Sequence, residues 1–232
     1  MSRCLLHPAL PMPDEEIIER FRALSASLIS DVFDRWSGAG DILPVAGCHP
    51  GEVVVGPAMT VRTRPGDNLV VHKALDLARP GEVVVIGAGG DVNRAILGGL
   101  MGHYAKQRGV AALVVDGAVR DRSDLERQSC PVFARGLCQL GPYKDGPGEL
   151  RGAVAIGGLA VQDGDLIIGD EDGITAVPRA RAVEILEAAE AKAKNEAQQD
   201  ADIGNRKWDR SWVDQALEIV EVNSRAETKE QA

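Results

Sequence analysis

Two short, uninterrupted apolar runs constrain the fold of this chain most: Val83–Ile86 (VVVI) and Ala112–Val115 (ALVV). A strand with one wet face alternates apolar and polar residues, whereas a strand apolar at every position must be covered on both faces. Between the two runs lies a stretch of helical spacing that ends at Arg108-Gly109. Before them, Asp67 to Ala78 has a helical pattern closed by Pro80-Gly81. After them, a short polar helix over Asp121 to Gln128 leads into the strand Pro131 to Ala134. Buried strands joined through helices pair in parallel, so the expected class is α/β.

The flanks add to this frame. Residues 14–24 read as a helix with Ile17, Ile18, Phe21 and Leu24 on one face and acids at its positive end. Residues 27–36 read as a second helix, stopped at Ser37-Gly38. Glu52 to Val55 and Ala58 to Arg62 read as two strands, separated by Gly56-Pro57. Further on, Ala153 to Ile156, Asp165 to Ile168 and Ile174 to Val177 are short strands between Gly/Asp turns. A helix over 179–197 follows, then a polar stretch, then an amphipathic helix over 209–222 and a polar tail. The expected architecture is mixed sheets flanked by helices, with a C-terminal helical extension.

Composition excludes several classes of function. Apolar residues make up 44% and charged residues 26% of 232, which suits a folded globular chain. A net charge of −9 and 3% aromatics offer neither a basic stripe nor a stacking platform, so no nucleic-acid partner is expected. No run approaches 18 apolar residues, and the N-terminus lacks the long apolar core of a signal peptide. Four scattered cysteines without a CxxC pair point to free thiols in a reducing cytoplasm.

Candidate chemistry clusters at a few places. Gly87-Ala88-Gly89-Gly90 follows a strand, but the sixth position is Val92, so a glycine-rich strand end is expected rather than a dinucleotide loop. Gly98-Gly99-Leu100-Met101 opens a helical stretch. It offers either unpaired first-turn amides for an anion or an ordinary close glycine contact. The sharpest candidate is the run Asp116-Gly117-Ala118-Val119-Arg120-Asp121, with Asp124 three positions on. The buried strand is expected to end there with a turn at Gly117. Arg120 offers a planar fork for a carboxylate or enolate, and Asp121 offers a hard oxygen for a divalent cation. A surface ion pair capping a helix is the competing reading. Asp163-Gly164-Asp165 and Asp170 to Gly173 read as turns, and His72, beside Pro65-Gly66-Asp67-Asn68, reads as structural.

Over residues 15–197 the chain resembles the regulator of ribonuclease activity A family. That family includes 4-hydroxy-4-methyl-2-oxoglutarate and 4-carboxy-4-hydroxy-2-oxoadipate aldolases. The likeness is carried by LISDVFDRW, VVGPAMTVRTRPGDN, ARPGEVVVI, GVAALVVDGAVRD, CPVFARG, VQDGDLIIGDEDGITAVP and the spacing Gly99-x20-Arg120-Asp121-x2-Asp124. It implies a swivelling β/β/α domain over residues 1–197, with residues 198–232 as an extension. It also implies a class II pyruvate aldolase that uses Mg2+ or Mn2+ and decarboxylates oxaloacetate. By the same resemblance Asp121 binds the metal and Arg120 contacts the keto or enolate oxygen. The turn Gly99-Leu100-Met101 binds the pyruvyl carboxylate through its amides. Glu196 is matched to an acid that reaches the site from a neighbouring subunit of a homotrimer or hexamer.

Many of these aldolases have aspartate where this chain has Gly99. Asp124, one helical turn after Arg120, is expected to supply the missing carboxylate and, with Glu196, to serve acid–base steps. No lysine is required, because a metal takes the place of a Schiff base. Some family members are instead non-catalytic inhibitors of ribonuclease E, and retention of Arg120, Asp121 and Asp124 argues against that here. A methyltransferase reading, attached to some relatives, would need a fuller glycine loop than Gly87 to Gly90.

Overall fold

The computed structural model describes residues 1–221 apart from Asp34 and Ser129, and of Gln128 it describes the backbone alone. The expected polar tail from Asn223 lies outside the described residues. In chain order the elements are β1 (Cys4–Leu6), α1 (Glu15–Arg22), α2 (Ala26–Val32), β2 (Leu43–Ala46), β3 (Val54–Thr63) and α3 (Leu69–Leu77). Then come β4 (Val83–Gly87), β5 (Ala95–Leu97), α4 (Gly99–Gln107), β6 (Ala112–Val119), α5 (Arg122–Gln128) and β7 (Val132–Leu137). The last are β8 (Gly148–Leu150), β9 (Val154–Ile156), β10 (Leu159–Val161), β11 (Leu166–Asp170), β12 (Gly173–Val177), α6 (Ala182–Gly204) and α7 (Ser211–Ala216). The contacts divide the chain into two units, Met1–Ala193 and the part from Lys194 onward.

The first unit is mixed α/β. Its main sheet runs β1-β8-β3-β4-β6-β7-β2, with β3, β4, β6 and β7 parallel at the centre. The apolar runs alternate between two cores, which is why they carry no polar position. Val84 and Ile86 pack with Val70, Val71, Ala74 and Leu75 of α3, and with Met101 and Ala105 of α4. Val83 and Val85 face the opposite side, with Val114, Phe133, Val154, Ile156 and Ile174. A third cluster places Ile18, Phe21 and Ile29 of α1 and α2 against Ile185, Leu186 and Ala189 of α6.

Three expectations are corrected. Gly56-Pro57 does not break a strand: β3 is continuous and changes partner there. Val54–Pro57 pairs antiparallel with β11, and Ala58–Arg62 pairs parallel with β4. The chain does not turn at Gly117. Strand β6 runs on to Val119 because β5 and the far half of β7 pair with its end, at the cost of a register shift between Val115 and Ala118. Of the helix expected over 209–222, the described part is helical only over Ser211–Ala216. Trp212, Leu217, Ile219 and Val220 are exposed, so little burial supports the longer helix. Among the described residues no helix is long and apolar enough to cross a membrane.

A buried ion cluster ties β8, β4 and the β10–β11 turn. Glu82 is fully buried and accepts both arms of Arg151, at 3.0 and 3.1 Å, and the Arg79 amide at 2.7 Å. Asp163 accepts from the same Arg151 Nη1 that donates to Glu82, at 3.2 Å. Burial pushes the Glu82 carboxyl upward, but Arg151 and Arg79 outweigh it and hold the net pKa below the usual value of 4.5. Burial likewise pushes the Asp67 carboxyl upward, but three backbone amides and Arg64 outweigh it and hold its pKa below 3.8. A depressed carboxylate pKa adds stability above the unfolded value and loses it as pH falls through the folded value. Asp163, raised by burial, offsets part of this. The melting temperature is therefore expected to hold steady from pH 7 to about 5 and to fall steeply below about pH 4. Thermal unfolding followed by circular dichroism from pH 7 to 3 checks this, and a melting temperature that rises on acidification would contradict it.

Candidate functional site

The site lies at the carboxyl ends of β5 and β6, where ligands sit in parallel α/β sheets. Strand β5 ends at Leu97, and the chain passes through Gly98 directly into α4. The first-turn amides of α4, including those of Leu100 and Met101, have no carbonyl one turn back, so they point their N–H groups at the space beyond the helix. Beside them the Arg120 amide bonds the Leu97 carbonyl at 3.0 Å, which fixes the end of β6 against β5.

Asp121 follows with a left-handed backbone, φ 57°. Few side chains accept that region, and aspartate is among those that do. The conformation turns the carboxylate back over the α4 terminus, where Oδ2 accepts the Gly99 amide at 3.2 Å and lies 3.6 Å from Arg120 Nε. A Cβ on Gly98 would come within 2.4 Å of that same oxygen, so a side chain there would displace the carboxylate.

These groups line a cavity of about 140 Å3 with Leu97, Gly98, Leu100, Met101, Arg120 and Asp121 on one side. Asn68, His72, Pro142 and Lys144 close the other side. Lys144 Nζ lies 3.2 Å from Asn68 Oδ1 and 3.1 Å from His72 Nε2. Asn68 is itself aimed by donating to the Ile96 carbonyl at 2.8 Å. Loss of surrounding water, and next the positive Lys144, pull the His72 pKa below 6.5, against the weaker pull of Asp76. At neutral pH His72 is therefore an uncharged acceptor for the lysine ammonium.

The cavity thus brings together Leu100, Met101, Arg120 and Asp121, four of the residues marked in the sequence. Gly99 sits at its edge through its amide. Asp124 is outside the lining: it pairs with Arg127 on α5, and its Cβ lies only 2.6 Å from where a Cβ on Gly99 would sit. Glu196 is exposed on α6, in the second unit. His72, read as structural, faces the cavity. Lys144 and Asn68 were missed. Lys144 lies in a loop without pattern, and long-range bonds from 66–68 to 143, 145 and 146 bring it in.

The other sequence candidates are engaged internally. Gly87 packs on Val154, and the Gly90 amide bonds the Asp116 carbonyl. Asp165 accepts the amides of Gln162 and Arg179, and Asp170 those of Ala26 and Asp172.

The donor set suits a hard divalent cation. Asp121 is about half exposed, with side-chain exposure of 45%. Its Oδ1 has no hydrogen-bond partner among the described residues, and no three His, Cys, Asp or Glu side chains converge there into a protein cage. Mg2+ typically takes one or two carboxylates and fills its remaining positions with water and substrate oxygens.

This geometry belongs to a recognisable class. The family model described as RraA-like, Aldolase/RraA, matches residues 26–176. A relative from Halalkalibacterium halodurans, provisionally named a 4-hydroxy-4-methyl-2-oxoglutarate aldolase, is 39% identical over 188 residues, or 80% of this chain and 88% of the relative. An uncharacterized protein from Pseudomonas syringae superposes with a TM-score of 0.75 at 25% identity, covering 86% of this chain and 92% of its own. RraAS2 from Streptomyces coelicolor, described as an unusual member of the RNase ES inhibitor RraA protein family, gives 0.71 at 26% identity, covering 82% and 98%. The chain belongs to the RraA-like family.

Proposed function

We propose that the chain is a divalent-metal-dependent lyase of the cytoplasm. It cleaves 4-hydroxy-2-oxo acids that carry further carboxylates to pyruvate and a second carbonyl product, and it decarboxylates oxaloacetate. The observation that carries this reading is the cavity itself, with an amide-bearing helix start, Arg120 and Asp121 on one wall and a cationic Lys144 on the other. A 2-oxo acid with charge at both ends fits that polarity.

In this reading the amides of Leu100 and Met101, at the Gly99 helix start, hold the C1 carboxylate. Asp121 would hold Mg2+ or Mn2+. A cation bound there supplies Lewis-acid polarisation of the substrate's keto oxygen. Arg120 donates to that oxygen and meets the negative charge that grows on it as the neighbouring carbon–carbon bond breaks. Lys144, steadied by Asn68 and neutral His72, pairs with the far carboxylate. In the aldol case the C4 hydroxyl must lose its proton, and Asp124, from outside the lining, or Glu196 would draw it off through an intervening water.

Glu196 acts from a neighbouring copy in a homotrimer or a hexamer of two trimers. Leu100, 89% exposed beside the cavity, is accessible to such a neighbour. Likeness to the Streptomyces RNase ES inhibitor family favours a ribonuclease-inhibitor role. The intact Arg120-Asp121 pair facing a cavity favours the enzyme. The reading is tested by incubating the protein and Mg2+ with oxaloacetate and with 4-hydroxy-4-methyl-2-oxoglutarate, following pyruvate. Pyruvate from both is expected, and none from either would remove the lyase reading.

The spacing of Gly99 and Asp124 makes a sharper prediction. A Cβ at position 99 would meet Asp124 Cβ at 2.6 Å, so a carboxylate can be carried at 99 or at 124 but not at both. Asp124→Ala should lower activity by about 10–100-fold, as loss of an outer partner of a metal site does. The defect should be larger for aldol cleavage, which needs a base, than for decarboxylation. Gly99→Asp alone should impair folding or rate, while Gly99→Asp with Asp124→Gly should regain aldolase activity over Asp124→Ala. Unchanged kinetics in Asp124→Ala would reduce the residue to a partner of Arg127.

A further inference from the structure

We infer that Asp67, outside the cavity, is the residue that positions Lys144 within it; the inference rests on the reading of Lys144 as the anchor for the substrate's far carboxylate. The Asp67 side chain is fully buried. Its Oδ2 accepts the amides of Asp145 at 2.7 Å and Gly146 at 3.0 Å, and lies 3.0 Å from Arg64 Nη2. Its Oδ1 accepts the Leu69 amide at the start of α3 at 3.0 Å. One carboxylate therefore joins the loop just after Lys144 to the helix that carries His72.

The residue before Lys144 is held from the same place. The Asn68 amide bonds the Tyr143 carbonyl at 3.0 Å, and the Tyr143 amide bonds the Gly66 carbonyl at 2.8 Å. Arg94 stacks 4.2 Å from the Tyr143 ring centre and donates to the Gly141 carbonyl at 2.6 Å. Lys144 is thus clamped on both chain sides; after it, the Asp67 carboxylate takes two successive amides, while Arg64 bonds the Asp145 side chain and Ser2 donates to the Asp145 carbonyl. The acid must be ionised to serve. Four donors converge on its two oxygens, and an amide in its place would set an NH2 group against at least one of them.

Asp67→Asn tests this without changing shape. The KM for oxaloacetate should rise about tenfold, the size expected for partial loss of one charge-assisted contact, while kcat changes by less than about threefold. In a Lys144→Met background the same substitution should raise KM by less than about twofold, because the contact it positions is already gone. Full multiplication of the two effects, or a loss confined to kcat, would overturn the inference.

Arg64→Gln, which removes an exposed partner shared by Asp67 and the Asp145 side chain, guards against failure to fold. It should raise KM about two- to threefold, again without effect in the Lys144→Met background. The dissociation constant of 2-oxoglutarate with Mg2+, measured by calorimetry, should follow the same ratios and needs no turnover. A wild-type protein that binds 2-oxoglutarate but releases no pyruvate from oxaloacetate would sink the lyase reading while leaving the Asp67 comparison intact.

Discussion

Replacing Asp121 should abolish turnover, a larger loss than any other single substitution in the cavity. Among the described residues Asp121 is the only carboxylate in the cavity lining, and its Oδ1, without a hydrogen-bond partner there, is the hard oxygen available to a cation. Alanine is an ambiguous replacement. The backbone here has φ 57°, and most residues other than glycine, asparagine and aspartate resist that region at a cost of about 1–3 kcal/mol. Asp121→Ala would therefore lose both the ligand and some stability. Asp121→Asn separates the two, because asparagine accepts the left-handed region and retains the side-chain shape. It should melt near the wild-type temperature yet show no calorimetric Mg2+ or Mn2+ binding and no pyruvate formation. A wild-type rate in Asp121→Asn would remove the residue from the mechanism.

Arg120→Ala should lower kcat by about 10²–10³, the range for loss of one preorganised donor to a developing oxyanion. Two features make Arg120 rigid enough for this work. Its amide is locked to Leu97, and its guanidinium lies against Gly141, where an added Cβ would come within 2.9 Å of Nη1. Charge placed in advance stabilises charge that appears only in the transition state, so the loss should fall on kcat more than on KM. Metal binding should persist, since Asp121 keeps its bond to the Gly99 amide. Arg120→Lys should recover only part of the rate, because an ammonium lacks the planar fork. Equal rates for wild type and Arg120→Ala would assign the residue to the Asp121 ion pair alone.

The central sheet was legible because its strands are buried on both faces, and a short continuous apolar run such as Val83–Ile86 needs that double cover. Strands β1, β5, β8 and β10 were not legible. Each has three residues, too few to show a period, and exists because a neighbour supplies the pairing. Gly56-Pro57 and Gly117 misled for the same reason: local turn chemistry was overruled by partners distant in sequence. The cavity was half visible. Leu100, Met101, Arg120 and Asp121 come from two segments with landmark glycines, so their spacing marked them. Lys144 and Asn68 meet because the 66–68 and 143 backbones bond and the Asp67 carboxylate takes the amides of 145 and 146, long-range events with no local signature. His72 looked inert because a lone histidine acquires meaning only from what faces it.

Lys144 also sharpens the question of mechanism, since a lysine within a substrate cavity is the group a Schiff-base aldolase would use. The direct test is oxaloacetate cleavage by protein stripped with EDTA, before and after adding back Mg2+ or Mn2+, with borohydride present in a parallel sample followed by mass spectrometry. The account predicts that stripping abolishes pyruvate formation, that either cation restores it, and that borohydride adds no substrate mass to the protein. Full turnover in the metal-free protein, or a borohydride-trapped adduct on Lys144, would contradict it.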